Sequence, residues 1–370
     1  MKKFLVIGMA AVMVFSLSAC SQSDTPDNTG TQAASAETAG AGGSASSGET
    51  AENAEAIPDF PAGDVSGLKI GFAYRHGSYD TYMTTYYKHA AAYAQEKGLN
   101  LILLDAVDDV TKQTTQVQDL IQQQCDVIII WPVNSEVSTA QAMQVSAAGI
   151  PCMTAGTDLI EDGMQYTSCF VGHSNYQEGY DAAAAAVAEM AEQGISNPRV
   201  LYVDGNSGYT SYVERKAGMK AAVEEAGGSF LDEQYCDGIR EKAQQVTENW
   251  LVKFKTGDFD CVMCYDANGA VGVYNAAKAA GRDTEFPIYA AVTGDANIVK
   301  EYVSSGRLGY MALESPMTDA ESVINMAVNL AMGYKPAQHN YYIDTAIINK
   351  DNADEYYESW SEPLPFPVHR

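Results

Sequence analysis

The chain is 370 residues long, 46% hydrophobic and 19% charged, with a formal net charge of −26 and a pI near 4.4. A surface this acidic excludes nucleic acid and an anionic lipid surface as partners, because both repel it. The length exceeds what one hydrophobic core supports, so the folded part is expected to have two lobes.

The first element is a leader. Lys2 and Lys3 precede an apolar stretch from Phe4 to Phe15, and small residues then lead to Leu17-Ser18-Ala19-Cys20. This is the pattern of a secretory signal peptide, residues 1–20. Its end resembles the bacterial lipobox, in which the cysteine becomes the lipidated first residue of the mature chain. That resemblance implies lipidation at Cys20 and a protein anchored at the extracytoplasmic face of the cell membrane. One acyl chain holds only marginally, so stable attachment needs more than one. Residues 21–65 are expected to be a disordered tether. From Ser21 to about Ile57 there is no Lys, Arg or aromatic residue, and such a segment cannot bury enough apolar surface to offset its ordering entropy. No later run is long and apolar enough to span a bilayer.

The body alternates short apolar runs with helical segments. Strands are predicted at 69–74, 100–105, 126–131, 152–155, 199–204, 229–236, 261–265, 288–292, 308–313 and 341–348. Helices rich in Ala, Glu, Gln, Lys and Met are predicted at 82–96, 111–123, 136–148, 176–192, 212–226, 241–254, 267–280, 296–304 and 320–332. Several are followed by the glycine that a helix C-terminus prefers, as at Gly98, Gly149, Gly227 and Gly281. Val127-Ile128-Ile129-Ile130 reads as a strand buried on both faces. The alternation defines an α/β fold with parallel sheets flanked by helices. In such sheets ligands bind beyond the carboxyl ends of the strands. Those ends carry Arg75-His76, Asp105, Pro132-Val133-Asn134, Gly156-Thr157-Asp158, Asp204-Gly205-Asn206, Asp237, Tyr265-Asp266, Thr293-Gly294-Asp295 and Glu314-Ser315. The set is a stronger signal than any member, because loops are polar in any case.

From Leu68 to Ile347 the chain resembles a type I periplasmic binding protein of the ribose- and galactose-binding kind. The resemblance is carried by Ile70-Gly71-Phe72-Ala73-Tyr74, Glu96-Lys97-Gly98-Leu99-Asn100-Leu101, Val127-Ile128-Ile129-Ile130-Trp131-Pro132, Ala148-Gly149-Ile150-Pro151, Glu214-Arg215-Lys216-Ala217-Gly218-Met219 and Asn268-Gly269-Ala270-Val271-Gly272. It implies two Rossmann-like lobes joined by a three-crossover hinge: 66–173 plus 315–340, and 174–314 plus 341–348, with 349–370 as a C-terminal tail. It also implies a monomer that shuts on a monosaccharide or polyol and delivers it to the permease of an ABC importer. Planar polar side chains grip paired hydroxyls and aromatic rings cover C–H faces.

Position by position, the resemblance makes Arg75 the first polar contact, with His76 able to line the cleft. Tyr82 and Met83 fall on a pair of stacking aromatics, Asp80 and Asp266 on ligand-contacting Asn positions, and Thr157-Asp158 on an Asp-Arg pair. Thr293 or Asp295 stands where an Asp is expected, Glu314 where a Gln is expected, and Asn206 joins the strand-end set. The family's ligand arginine falls on Val213, with only the second, Arg215, retained, and the second-lobe aromatic falls near Gly238. Tyr209 or Tyr212 is the candidate substitute. A pocket with more acid and less arginine keeps an amino sugar or another cationic molecule in view beside a neutral sugar.

Walker, dinucleotide, Gly-x-Ser-x-Gly and His-Glu-x-x-His motifs are missing. Asp266 with Asp295 or Glu314 is the only paired-carboxylate candidate for acid–base chemistry, and gripping hydroxyls explains those residues without it. A non-enzyme with no cofactor and no metal is expected. His173 beside the hinge and Tyr86, Tyr87 and Tyr93 read as structural. Of seven cysteines, six lie in the body. Cys261-x-x-Cys264 lacks the second pair that zinc needs, so buried thiols are expected for most, although disulfides form outside the cell and the sequence does not show their pairing. The alternative function is a ligand-sensing receptor that feeds a histidine kinase or chemoreceptor, or a binder of a non-sugar ligand such as an amine, a nucleoside or an autoinducer-like molecule.

Overall fold

The computed structural model describes residues 55–78, 80–206 and 208–358. The leader, Cys20 and most of the expected tether lie outside the described residues.

The first half runs β1 (Lys69–Tyr74), α1 (Thr81–Glu96), β2 (Asn100–Asp105), α2 (Val110–Gln122), β3 (Val127–Ile130), α3 (Ser135–Ala147), β4 (Cys152–Ala155), the single turn α4 (Glu161–Met164) and β5 (Cys169–Gly172). The second runs α5 (Asn175–Glu192), β6 (Arg199–Asp204), α6 (Thr210–Glu225), β7 (Ser229–Tyr235), α7 (Arg240–Lys253), β8 (Cys261–Cys264) and α8 (Ala267–Ala279), then β9 (Ile288–Ala290), β10 (Val292–Thr293), α9 (Ala296–Ile298), a π-helical turn at Val299–Val303 and β11 (Met311–Leu313). The chain closes with α10 (Pro316–Ala331), β12 (Asn340–Tyr342), β13 (Ala346–Ile348) and α11 (Ala353–Glu358).

The first sheet has six strands in the order β12-β5-β4-β3-β1-β2, all parallel. The second has the parallel order β7-β6-β8-β9. It continues past the irregular Ala291 into β10, β11 and the antiparallel β13. The chain passes between the halves three times: after Gly172, after Leu313 and between Tyr342 and Ala346.

The central strands of each sheet are buried on both faces, which is why they read as unbroken apolar runs. Phe72, Ile129, Met153 and Val171 meet Val323, Ile324 and Ala327 of α10 on one face of the first sheet. Ile128 and Ile130 meet Val117, Leu120 and Val145 on the other. In the second sheet Leu201, Val203 and Val262 pack on α7 and α8, and Val200, Tyr202 and Met263 on α5 and α6. The six body cysteines are unpaired thiols buried in these layers.

Four features differ from the sequence reading. Strand β5 has no counterpart in it. The expected strand 341–348 is two strands, and Asn340–Tyr342 pairs with β5 of the first half, so it does not belong to the second lobe. The folded body begins before residue 66: Ile57 and Val65 are buried, and Tyr341 donates to Glu55 Oε2 at 2.8 Å. The expected tail contains α11, whose Ala353 is buried in the second core.

Candidate functional site

Helix α1 starts at the carboxyl end of β1, α8 at that of β8, and α9 just beyond β10. Each start needs an acceptor for its unpaired N–H groups. Asp80 accepts from Met83 N–H at 2.8 Å, Asp266 from Gly269 N–H at 2.9 Å and Asp295 from Asn297 N–H at 2.8 Å. Capping therefore places three carboxylates at the facing ends of the two sheets.

Between those ends lies a cavity with about 100 Å3 open to the centres of water-sized atoms, several times what one water requires. Its wall takes Arg75, Asp80, Tyr82 and Thr157 from the first half. Arg215, Asp266, Thr293, Asp295 and Glu314 come from the second half and the crossover that follows it. These nine were singled out in the sequence. Tyr212, of the two tyrosines left open, lines the wall, while Tyr209 lies under the Arg75 guanidinium at 4.1 Å. Met83 is also in the wall.

Three expected site residues stand elsewhere. The Asp158 carboxylate is held by Thr154 at 2.6 Å and His339 at 2.8 Å and is not among the wall residues. Asn206 accepts from Gly208 N–H within its own loop at 2.8 Å. His76 accepts from Ser78 N–H at 3.2 Å and is not among the wall residues.

Sequence reasoning missed Trp131, Ser211 and Asn268, all in the wall. Trp131 directly follows β3, and the strand-end rule applied one residue earlier would have found it. Gly156 sits at positive φ against the indole, where a Cβ would clash with Trp131. Gly294 plays the same part for Tyr82 across the cleft, where a Cβ would overlap the ring. The halves are in contact: Thr210 Oγ1 donates to the Asp158 carbonyl at 3.1 Å, and Thr157 Oγ1 lies 3.4 Å from Ser211 Oγ. The halves therefore touch beside the cavity.

At the hinge end of the cavity the charges form a chain. Tyr82 donates to Asp319 Oδ2 at 2.7 Å, and His173 Nε2 lies 3.1 Å from the same oxygen, as an ion-pair contact and not an aligned hydrogen bond. His173 Nδ1 donates to the Ile343 carbonyl at 2.9 Å. Arg215 reaches Glu314 at 2.8 Å and Glu178 at 3.1 Å. His173, Glu314 and Ile343 thus bring all three crossovers to one knot. His173, expected to be structural, is buried in this knot and is also part of the cavity wall. Burial works against its charge, but Asp319 outweighs this and holds the imidazolium up to about 10. Burial, reinforced by Glu178 and opposed by Arg215, lifts Glu314 to about 8. Burial likewise raises Asp80 and lifts Asp266 to about 6. Among the described residues, only His173, Glu178 and Glu314 come close enough together to suggest a metal, and the Arg215 guanidinium already supplies positive charge to both glutamates.

Two α/β halves on three crossovers, meeting at a polar and aromatic cavity, define the hinged class of solute receptor. The periplasmic binding protein domain model matches residues 70–335, and the chain belongs to that family, as a type I member of the ribose- and galactose-binding kind. It is similar to the ribose import binding protein of Bacillus subtilis, 29% identical over 190 residues that span 51% of this chain and 59% of that one. It is also similar to the xylitol-binding protein of Mycolicibacterium smegmatis, 24% identical over 266 residues, 71% of this chain and 72% of that one. Among solved structures it resembles the periplasmic binding protein of the arabinose ABC transporter from Shewanella sp. ANA-3, bound to L-arabinofuranose. That likeness has a TM-score of 0.71 at 20% identity and covers 79% of this chain and 95% of that one, so it speaks to the fold.

Proposed function

We propose that the protein is the extracytoplasmic receptor of an ABC importer. It captures one small hydroxylated ligand, a monosaccharide or polyol, and releases it unaltered to the permease. The observation that carries this reading is the cavity between the halves, where Tyr82, Trp131 and Tyr212 offer aromatic surface and carboxylates and guanidinium groups offer paired hydrogen-bonding edges. Such groups match vicinal hydroxyls and C–H faces. The named ligands of its relatives, ribose and xylitol, support the same class. A micromolar site needs about −8 kcal/mol, within reach of such a contact set. Opening about the three crossovers admits the ligand, and closing removes water from both sides. Cys20 is the proposed lipid attachment point, and the protein acts as a monomer on that anchor.

The test is a thermal-shift screen over pentoses, hexoses, inositols and alditols, followed by calorimetry on the hits. At least one member should stabilise the protein at millimolar concentration and bind with 1:1 stoichiometry. A flat response across all four groups contradicts the proposal.

A further inference from the structure

The inner cavity is not the whole of the space between the halves. It offers about 100 Å3, below the roughly 300–1,000 Å3 of a usual small-ligand pocket. A second space of about 480 Å3 adjoins it, and the two share Asp80, Asn268, Asp295 and Ile298. Those four residues are the neck between them. Taken as one, the two spaces reach the usual pocket size. Both halves contribute to the outer space: Asp80 and Thr81 come from the first, and Gly238, Ile239, Arg240 and Tyr302 from the second.

Gly238 marks a departure from the family pattern. The resemblance puts the second-lobe stacking aromatic near this position, but Gly238 lines the outer space with no side chain and stands at a φ of 74°. That is the left-handed region, where a bulky residue is strained. No ring covers the outer space from this position.

The neck has a defined polarity. Arg240 Nη2 donates to Asn268 Oδ1. A guanidinium only donates, so the Asn268 amide must turn its oxygen to Arg240, and the Nδ2 hydrogens are left for a ligand. Asp80 and Asp295 cap their helices with Oδ1 and keep Oδ2 as an acceptor for hydroxyls. An oxygen that bridges two sugar units carries no hydrogen and can only accept. Asn268 supplies its donor, and the two carboxylates suit hydroxyls on either side of it.

Beyond the neck the wall offers both surfaces that a sugar ring uses. Tyr302 is held edge-on by Tyr274, with ring centroids 5.8 Å apart. Ile239 is 38% exposed, although Ile is among the residues most often buried. These two supply apolar surface for C–H faces, and Arg240, Glu241 and Asn297 supply polar edges.

We propose that the natural ligand has two linked units, a disaccharide or a sugar joined to a polyol. One unit fills the inner cavity, the bridging oxygen meets Asn268 at the neck, and the second unit lies in the outer space on Tyr302 and Ile239. This deepens the receptor reading and rests on it.

The experiment is calorimetry on the intact protein with two-unit sugars and their components: maltose and cellobiose with D-glucose, lactose and melibiose with D-galactose and D-glucose, xylobiose with D-xylose, and galactinol with D-galactose and myo-inositol. At least one two-unit sugar should bind about 30-fold tighter than the tighter of its components. In Tyr302→Ala and in Ile239→Ser that ratio should fall to about 5-fold or less. Tyr302 also packs on the second core, so the exposed Ile239 provides a variant that leaves the core intact. Single units that bind as tightly as the two-unit sugars overturn this inference and leave the sugar-receptor reading standing. A ratio unchanged in both variants overturns the assignment to the outer space. Binding by none of these sugars contradicts both readings.

Discussion

Asp266 has two tasks with one carboxylate: Oδ1 caps α8 and the group as a whole lines the cavity. The two can be separated. Asp266→Asn keeps the cap, whereas Asp266→Ala loses it, at about 1 kcal/mol of stability. We expect Asp266→Ala and Tyr82→Ala each to weaken ligand binding by about 2 kcal/mol, read by calorimetry on whichever ligand the screen yields. Unchanged affinity in both would place the ligand elsewhere. The residue scale also shows where the sequence stops being informative. Polar residues at strand ends gave Arg75, Thr157, Asp266, Thr293, Asp295 and Glu314 of the wall, because topology alone brings those ends together, whereas Asp80, Tyr82 and Arg215 came from the family resemblance. Thr157 and Asp158 are neighbours in one loop, yet only Thr157 lines the cavity, while Asp158 is turned to Thr154 and His339. Neighbouring loop residues can point in opposite directions, and no periodicity records which one faces inward. His339 lies 181 residues away, so the partner that claims Asp158 cannot be read locally.

At the scale of elements, the hinge knot gives the free protein a pH signature. Glu314 is lifted from an ordinary 4.5 to about 8, and His173 from 6.5 to about 10. Both groups hold their proton more tightly folded than unfolded. The stability they confer is complete below the unfolded values and is lost as pH rises through the folded ones. The melting temperature of the ligand-free protein should therefore fall from about pH 5 to about pH 10. Glu314→Gln should flatten the lower part of that fall. A melting temperature that climbs over the same range would contradict the charge assignment. Elements themselves were largely legible: β1, β2, β4 and β6 lie where the apolar runs place them. β5, Cys169–Gly172, was not among the predicted strands. The run from 341 to 348 looks continuous, but Tyr341 and Ile348 are buried in different cores. Asp344 and Thr345 lie in the crossing, and a crossing leaves no compositional mark.

For the whole molecule, the alternation of apolar runs and helices fixed the class, since unbroken strands buried on both faces require helices on both sides. The extent of the body was less legible. Glu55 to Val65 looks polar and loose in sequence, yet Ile57 and Val65 find places beside α10 and the first sheet. Single apolar residues in a polar stretch carry no period, and their burial depends on a surface built far along the chain. The central claim is that the halves must part for ligand to enter and close over it. Ser135 on α3 and Thr210 on α6 face each other across the cleft, with hydroxyl oxygens 3.5 Å apart and neither in the cavity wall. A Ser135→Cys, Thr210→Cys variant oxidised without ligand should be locked shut. The account predicts that the oxidised protein, with the cross-link verified by mass spectrometry, binds no ligand, and that reduction restores binding. Equal binding by the oxidised and reduced forms would contradict the account.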